Sequence, residues 1–335
     1  MSTVQGMTSR ERVRAIIAGE PADRSAFWLG MPARDAWPAI HNHFGTTEDE
    51  ELRQKLGDDF RWICAGFGSF SIEKEAHGDA GPFAETEDVA EVEDYPWPKA
   101  EDMNFGPMLE RLRNAGDVYR ASGLWTCFYH NVMDLFGIEA YLMKMYLNPE
   151  VVHAVTDRVC QFYYDANERF FKEAGDLVDG FFFGNDFGTQ LDLICGPDQF
   201  DEFIMPWFKK FTDQGHRHGH QVILHSCGAI HKVIDRLIDA GVDCLHPLQA
   251  KAANMDAETL SRDFGGKISF LGGIDTQDLL VNASPEEIST EVKRVRSHLA
   301  PRLIVSPSHE AILINIPPAN IQAMAEAVVD LPVSC

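Results

Sequence analysis

Short apolar runs alternate along the chain with longer segments in which apolar residues recur at helical spacing. Eight runs of β-forming residues lie at positions 26–30, 60–64, 124–128, 179–184, 221–225, 242–248, 268–273 and 302–306. Most of them are continuous instead of alternating, which is typical of parallel strands covered on both faces. Eight strands separated by helices predict a closed (β/α)8 barrel. We therefore predict an α/β protein with a single TIM-barrel domain over residues 1–335.

Two capping boxes mark where helices begin. Thr8 and Glu11 predict an N-terminal helix that ends near Gly19, ahead of the first strand, where it can close the bottom of the barrel. Ser284 and Glu287 have the same spacing and predict a helix before the last strand. The pattern of helices and strands therefore extends to both ends of the predicted barrel.

One long segment interrupts this alternation. Residues 65–105 are rich in glycine at first and then acidic and proline-rich. Connections of this length are uncommon in compact domains unless they have a structure or function of their own. We predict an excursion between the second and third barrel strands, and the alternative is a solvated connecting loop.

Composition limits the partners and the compartment. The chain has 29 Lys and Arg against 52 Asp and Glu, a formal net charge of -23, which repels nucleic-acid backbones and anionic membrane surfaces. Its seven cysteines are odd in number and scattered, so they predict thiols and not a disulfide framework. Charges interrupt the apolar patch near the N-terminus and no cleavage site follows it, so we expect no signal peptide and a cytoplasmic protein.

Polar residues follow five consecutive predicted strands, at the end of a barrel where active sites are found. They are Asp186 and Gln190 after the fourth strand, His225 and Cys227 after the fifth, His246 and Gln249 after the sixth, Asp275 and Gln277 after the seventh, and His309 and Glu310 after the eighth. The two aspartates are candidate catalytic carboxylates, either in proton transfer or in orienting a substrate. Gln190, His246, Gln249 and Gln277 are candidate substrate contacts.

The pair His225 and Cys227 is the strongest metal candidate in the sequence. Residues two apart at a strand end can turn both side chains toward one ion, and thiolate with imidazole suits zinc. A catalytic zinc usually needs a third protein ligand, for which we favour His309 over Glu310 and His246. The alternative is a buried small cysteine beside a hydrogen-bonded barrel histidine.

Several stretches resemble the uroporphyrinogen decarboxylase-like superfamily, whose members are (β/α)8 barrels. In the C-terminal half they are LHSCG, HPLQ, FGGKISFLGGIDTQ, SPEEI and SPSHEAILINIPPANI, and further matches are MTSRERVRAIIAGEPADR at the start, YPWP and NDFGTQ. Together they span nearly the whole chain. The superfamily also contains zinc-dependent methyltransferases of corrinoid systems, so the resemblance implies the fold but leaves two activities to compare.

Two departures from the decarboxylases favour the methyltransferase branch. Decarboxylases carry an Arg-Gln-Ala-Gly-Arg element after the first strand, whose arginines meet substrate carboxylates, and the corresponding WLGMPARDAW retains only Arg34. The aspartate that binds pyrrole nitrogens near the second strand end has no counterpart in RWICAGFGS. An octa-anionic substrate is also a poor electrostatic match for a chain with this net charge.

This chain resembles the methyltransferase branch at the positions of the zinc ligands. It uses a His-x-Cys pair and a later cysteine to hold zinc; His225 and Cys227 match the pair, and His309 stands where the later cysteine would be sought. The resemblance implies zinc as cofactor, a small methylated substrate, and a partner protein that carries a corrinoid (cobalamin), with a thiol as an alternative acceptor. It also makes a homodimer possible, since dimers are common in this superfamily.

Two other functions stay open. One is a metal-independent decarboxylase or lyase that acts on a smaller acid, with Arg34 as the carboxylate anchor and an aspartate as the proton shuttle. The other is a non-catalytic protein that binds a corrinoid or tetrapyrrole in the barrel mouth.

Overall fold

The computed structural model of the chain describes residues 6–66 and 80–329, and its centre is a barrel of eight parallel strands. These are β1 (Ala26–Phe27), β3 (Phe60–Trp62), β4 (Tyr119–Ser122), β5 (Gly180–Gly184), β6 (Gln221–His225), β7 (Cys244–His246), β8 (Ser269–Ile274) and β9 (Leu303–Pro307). They follow one another around the sheet in chain order, and β9 pairs with β1. Two further short strands, β2 (Met31–Pro32) and β10 (Ala311–Ile312), pair in parallel beyond the barrel strands. The predicted α/β-barrel class is confirmed.

Helices surround the strands. The α-helices of the described residues are Ser9–Ala18, Trp37–Phe44, Asp49–Lys55, Val89–Glu93, Gly106–Asn114, Phe128–Phe136, Ile138–Leu147, Pro149–Ala174, Pro197–Gln199, Met205–Arg217, Ile234–Asp239, Ala257–Phe264, Leu279–Asn282, Pro285–Leu299 and Pro318–Val329. A π-helical turn, Phe200–Ile204, precedes Met205–Arg217, and 3-10 turns occupy Ala100–Asp102, Gly175–Leu177 and His231–Val233. None of the helices in 6–66 and 80–329 has the length and apolar character needed to cross a membrane.

The N-terminal helix begins where its capping box predicts, and it closes the bottom of the barrel. Thr8 accepts a hydrogen bond from the backbone of Glu11, the Glu11 side chain accepts one from the backbone of Thr8, and the helix ends at Gly19 in the left-handed conformation. Its buried residues Val13 and Ile16 belong to the same apolar cluster as the inward-facing side chains of the strands. Burial of this apolar surface helps to hold the helix on the barrel, together with the ion pair between Arg12 and Asp59.

The predicted third strand is wrong in position. The strand is Tyr119–Ser122, and residues 124–128 lie beyond its end, where the chain turns toward the barrel mouth and the helix Phe128–Phe136 begins. Thr126 has a positive φ of 44°, a conformation that β-strands do not contain. The apolar run that predicted a strand therefore lines the mouth instead.

Long-range partners explain why a polar segment occupies the strand position. The buried Arg120 forms an ion pair of 3.5 Å with Asp179, and the hydroxyl of Ser122 donates a hydrogen bond to the carbonyl of Ile63. A buried polar side chain is tolerated when such partners satisfy it. Because these partners come from other strands and connections, a local pattern does not reveal them.

The predicted excursion does lie between the second and third barrel strands, β3 and β4. Most of its described part is residues 80–105, which contain the helix Val89–Glu93, and the ring of Phe83 packs 6.0 Å from Phe136. Arg169 of the helix Pro149–Ala174 donates to the carbonyl of Ala100. This part therefore packs on the outer helices, while positions 67–79 of the excursion lie outside the described residues.

Candidate metal centre

The ends of four barrel strands bring ionisable side chains together at the mouth. In the parallel register, Gly184 of β5 pairs with His225 of β6, and His225 pairs with His246 of β7. Asp186 follows β5 and Glu310 follows β9, so both carboxylates also reach this edge. Because the strands of a parallel barrel all end on the same side, polar side chains that follow them lie close together, as predicted.

His225 lies at the centre of this group and uses both ring nitrogens. Its Nε2 is 3.3 Å from Asp186 Oδ1 and 3.4 Å from Cys227 Sγ. Its Nδ1 is 2.9 Å from His246 Nδ1 and 3.4 Å from Glu310 Oε2. Within the described residues, two sets of three potential ligands thus share one imidazole: Asp186, His225 and Cys227 on one face, and His225, His246 and Glu310 on the other.

The loop after β6 is fixed by hydrogen bonds to its backbone. The N–H of Cys227 donates to Asp186 Oδ1 at 2.8 Å, and the N–H of Gly228 donates to Gln249 Oε1 at 2.9 Å. Gln190 Nε2 also donates to Gln249 Oε1, at 3.2 Å. The two predicted substrate contacts Gln190 and Gln249 are therefore brought together, and Gln249 holds the segment that carries Cys227.

The electrostatics of the site centre on His225. Burial opposes its charge, but hydrogen bonds with Asp186 and Cys227 and the charge of Glu310 raise the pKa of His225 well above its usual value. Burial also opposes the charge of Asp186, yet the interaction with His225 lowers its pKa to about 2. Burial raises the pKa of Cys227 and lowers that of His246. Carboxylates therefore surround one imidazole, an arrangement that stabilises a positive charge at this point.

Aromatic rings form the walls beside the two histidines, and sequence reasoning missed them. Trp125 lies 5.2 Å from the ring of His225 and packs on Trp62 at 4.9 Å. Trp28 lies 5.4 Å from the ring of His246. Each tryptophan lies in or next to a predicted strand, and the apolar pattern of a strand does not show which way a ring points. Their position near the carboxyl ends of the strands is the signal that could have identified them.

Asp275 occupies the mouth but binds backbone groups. Its carboxylate accepts hydrogen bonds from the N–H groups of Gln277 at 3.3 Å and of Asp278 and Leu279 at 2.9 Å each. Lys251 Nζ lies 3.3 Å from the same carboxylate. Both oxygens thus stabilise the turn that leads into the short helix Leu279–Asn282. The catalytic role of Asp275 and the substrate contact of Gln277 stay predictions.

His309 and Arg34 are placed differently from the central group. The His309 ring lies 6.1 Å from the ring of His225, and its Nδ1 accepts a hydrogen bond of 3.1 Å from the N–H of Ala311. The same nitrogen is 3.6 Å from Glu310 Oε2. Arg34 is exposed in the turn after β2. His309 is therefore a neighbour of the cluster but belongs to neither set of three potential ligands.

Comparison with known proteins gives a family and a fold. The sequence model of the uroporphyrinogen decarboxylase (URO-D) family matches residues 82–331. A solved methyltransferase from Methanosarcina mazei superposes with a TM-score of 0.71 at 17% identity, over 97% of this chain and 99% of that one. A Listeria monocytogenes protein described as a vitamin-B12-independent methionine synthase aligns with a TM-score of 0.45 at 10% identity, over 92% of this chain and 95% of that one. No curated protein matches the chain significantly in sequence. The first likeness supports the barrel fold, and the second is too distant to support an argument.

Proposed function

The chain belongs to the uroporphyrinogen decarboxylase family, and we propose that it is a zinc-dependent methyltransferase. It would move a methyl group between a small methylated substrate and a corrinoid carried by a partner protein, or a thiol acceptor. The observation that carries the proposal is the meeting of His225 Nε2, Cys227 Sγ and Asp186 Oδ1 at the barrel mouth. The fold shared with a protein described as a methyltransferase is consistent with it.

The donor set suits zinc. Imidazole, thiolate and carboxylate are the three kinds of protein ligand that zinc takes, and catalytic sites keep a further position for substrate. When bound here, the ion would lower the pKa of a coordinated thiol or polarise the heteroatom that carries the methyl group. His309 is the third ligand predicted from the sequence, and its ring lies 6.1 Å from that of His225.

The residues of the chain prepare the displacement by placing the reactants. Cys227 and Asp186 are partly exposed, so the side of His225 that they occupy faces a substrate entering the mouth. Trp125 packs against the His225 ring, which limits the orientations that the ring can adopt. In the transfer, the nucleophile donates its electron pair to the methyl carbon, and the bonding pair leaves with the substrate's heteroatom. Holding these atoms in line is the main contribution that a barrel mouth can make.

A metal-independent decarboxylase is the second candidate, because the family model that matches is named for that activity. In that function Arg34 would anchor a carboxylate and Asp186 or Asp275 would transfer a proton. The exposed position of Arg34 in the turn after β2 leaves it accessible to a substrate. The two candidates differ in one measurable property, the requirement for bound zinc.

Metal analysis combined with a methyl-transfer assay tests the proposal. We expect about one zinc per chain in the purified protein, its loss in His225→Ala and Cys227→Ser, and its retention in the control His216→Ala. His216 is a matched histidine that pairs with Asp243 at 2.8 Å, away from the mouth. Methylated donors would be screened with reduced cobalamin and with thiols, following the change in cobalamin absorbance.

Three results would contradict the proposal. Zinc-free protein that loses activity in Arg34→Ala supports the decarboxylase. Cobalamin absorbance acquired without turnover supports a non-catalytic corrinoid-binding protein. Zinc that survives both ligand substitutions places the metal elsewhere in the chain.

A further inference from the structure

We propose that the ion binds on the Nε2 face of His225 with Asp186 as its third ligand, and that His246 and Glu310 position the ring from behind. The inference rests on the proposed function, because it assigns the two faces of the same imidazole. It goes further by choosing between the two sets of potential ligands that share His225. It also assigns Asp186 a ligand role that the sequence pattern gave to His309.

The shortest distance on each face differs: on the Nε2 face it fits two ligands of one ion, and on the Nδ1 face it fits a hydrogen bond. Zinc bonds of about 2.0–2.3 Å in a tetrahedron put neighbouring ligand atoms about 3.3–3.6 Å apart. His225 Nε2 is 3.3 Å from Asp186 Oδ1 and 3.4 Å from Cys227 Sγ, which matches those edges. His225 Nδ1 is 2.9 Å from His246 Nδ1, too short for two ligands of one ion and typical of a hydrogen bond.

Access to the mouth gives an independent reason for the same choice. His246 is fully buried, and only 18% of the Glu310 side chain is exposed, so an ion between them would be closed to substrate. On the other face, 38% of the Asp186 side chain is exposed, and Cys227 is also partly exposed. A catalytic zinc needs an open coordination position, and only the Nε2 face offers one.

Asp186 is held in place for ligation by the backbone of the other ligand. Its Oδ1 accepts the N–H of Cys227 at 2.8 Å, so the carboxylate cannot turn away without breaking that bond. An ion at Nε2 would then be coordinated by two anionic groups and one neutral ring. This charge balance suits a divalent cation better than the opposite face, where Glu310 is the only anion.

His246 and Glu310 fix the tautomer of the ring. With Nε2 committed to the ion, Nδ1 of His225 carries the proton and donates it to His246 Nδ1, beside the Glu310 carboxylate at 3.4 Å. His246 cannot move to follow, because Phe182 packs edge-on at 5.2 Å and Trp28 at 5.4 Å. Partners of this kind behind a ligating histidine change metal affinity by roughly 10- to 100-fold.

The experiment uses the full chain and makes two measurements. Chelator competition gives the zinc affinity. After zinc is replaced by cobalt, the near-ultraviolet thiolate-to-cobalt absorption band reports whether Cys227 binds the metal. We expect Asp186→Asn to weaken zinc by more than about 100-fold and Glu310→Gln by roughly 10- to 100-fold, with the thiolate band retained in both. The control Asp192→Asn removes an exposed carboxylate of the same loop, paired with Lys232 at 2.5 Å, and should bind zinc as the wild type does.

Substitution of His246 separates positioning from mere packing. The amide oxygen of His246→Asn can still accept the Nδ1 proton of His225, whereas His246→Leu cannot. We therefore expect His246→Asn to bind zinc more tightly than His246→Leu. Equal zinc affinity in the two variants would overturn the positioning role.

The remaining outcomes are distinguishable from failure of the proposed function. If zinc binding requires Glu310 and His246 but not Asp186, and no thiolate band is seen, the ion lies on the Nδ1 face. Zinc lost in His309→Ala but kept in Asp186→Asn would make His309 the third ligand. If zinc depends on Asp186 but no methyl transfer occurs, the ligand assignment stands and the methyltransferase does not. A wild-type protein that binds no zinc overturns both.

Discussion

Asp59 joins the two ends of the barrel sheet through Phe27. The Asp59 N–H donates to the carbonyl of Phe27 at 2.8 Å, and the Phe27 N–H donates back to Asp59 Oδ2 at 3.0 Å. The same fully buried carboxylate forms ion pairs with Arg12 at 2.6 Å and Arg24 at 2.8 Å. One side chain thus connects β1, the segment before β3, and the helix that closes the barrel bottom.

Replacing Asp59 by alanine should strongly destabilise the protein. Among the described residues, the change leaves the buried Arg12 with Asp23 as its remaining anionic partner, and it removes the acceptor of the Phe27 N–H. Breaking a buried ion pair costs about 3–5 kcal/mol, and we expect the free energy of unfolding to fall by that amount in urea titrations. Removal of the exposed partner in Asp213→Ala, paired with Lys209, should cost no more than about 1 kcal/mol. An unchanged urea midpoint in Asp59→Ala would show that other contacts hold β1 to the segment before β3.

Two glycines with similar positive φ angles should respond very differently to alanine. Gly228 and Gly219 have φ values of 90° and 78°, so a side chain strains both positions by about 1 kcal/mol. A Cβ at Gly228 would also lie 2.2 Å from the carbonyl oxygen of Gly188, whereas at Gly219 it would meet nothing within 4 Å.

We therefore expect Gly228→Ala to displace the loop that carries Cys227 and to lose both zinc and thermal stability. Gly219→Ala should keep its zinc and show only the small loss of stability that the backbone strain causes. Metal analysis and thermal unfolding of the two variants check this. Zinc affinity unchanged in Gly228→Ala would mean that the loop can shift without disturbing the metal ligands.

Most of the barrel could be predicted from the sequence, because its strands are apolar by themselves. Seven of the eight predicted runs overlap a strand of the structure, and the exception is the run at 124–128. The true strand there, Tyr119–Ser122, contains Arg120, whose burial depends on Asp179 far along the chain. A pattern of apolar positions cannot show a charge that becomes buried only because a distant carboxylate pairs with it.

The candidate site was predictable in its central pair but not in its full geometry. His225 is the last residue of an apolar strand and Cys227 lies two residues further on, so a local pattern was enough to propose them as a pair. The approach of Asp186 depends on the register of β5 with β6 and on the hydrogen bond to the Cys227 backbone. The proposed role of His246 behind the His225 ring rests on the 2.9 Å distance between the two Nδ1 atoms, and no spacing in the sequence indicates that distance.

His220 should make the protein sensitive to mild acid. The ring is buried against Phe171, and burial, with the charge of His218, lowers the pKa of His220 to about 4. In the unfolded chain the pKa is about 6.5, so between these values the unfolded state binds more protons and stability falls as the pH falls. The loss from this group should be on the order of 2 kcal/mol between pH 7.5 and pH 5.

Urea unfolding of the wild type and His220→Phe at these two pH values measures this contribution. The variant should lose less stability on acidification than the wild type, because it has no proton to take up on unfolding. His153→Phe is the control for the loss of a histidine, since that side chain is half-exposed and not buried. Parallel pH profiles for the wild type and His220→Phe would contradict the lowered pKa.

Substitutions of Asp275 decide between catalysis and support of the backbone. Its two oxygens accept three backbone N–H groups at the start of the helix Leu279–Asn282. Loss of such a contact on substitution by alanine costs about 0.5–2 kcal/mol. Asp275→Ala should therefore lower the free energy of unfolding by that amount. Asp275→Asn keeps an acceptor oxygen but cannot exchange a proton at neutral pH, so we expect it to retain most of the turnover. A general acid or base contributes about 100- to 10,000-fold to a rate, and a loss of that size in Asp275→Asn at unchanged stability would establish the catalytic role instead.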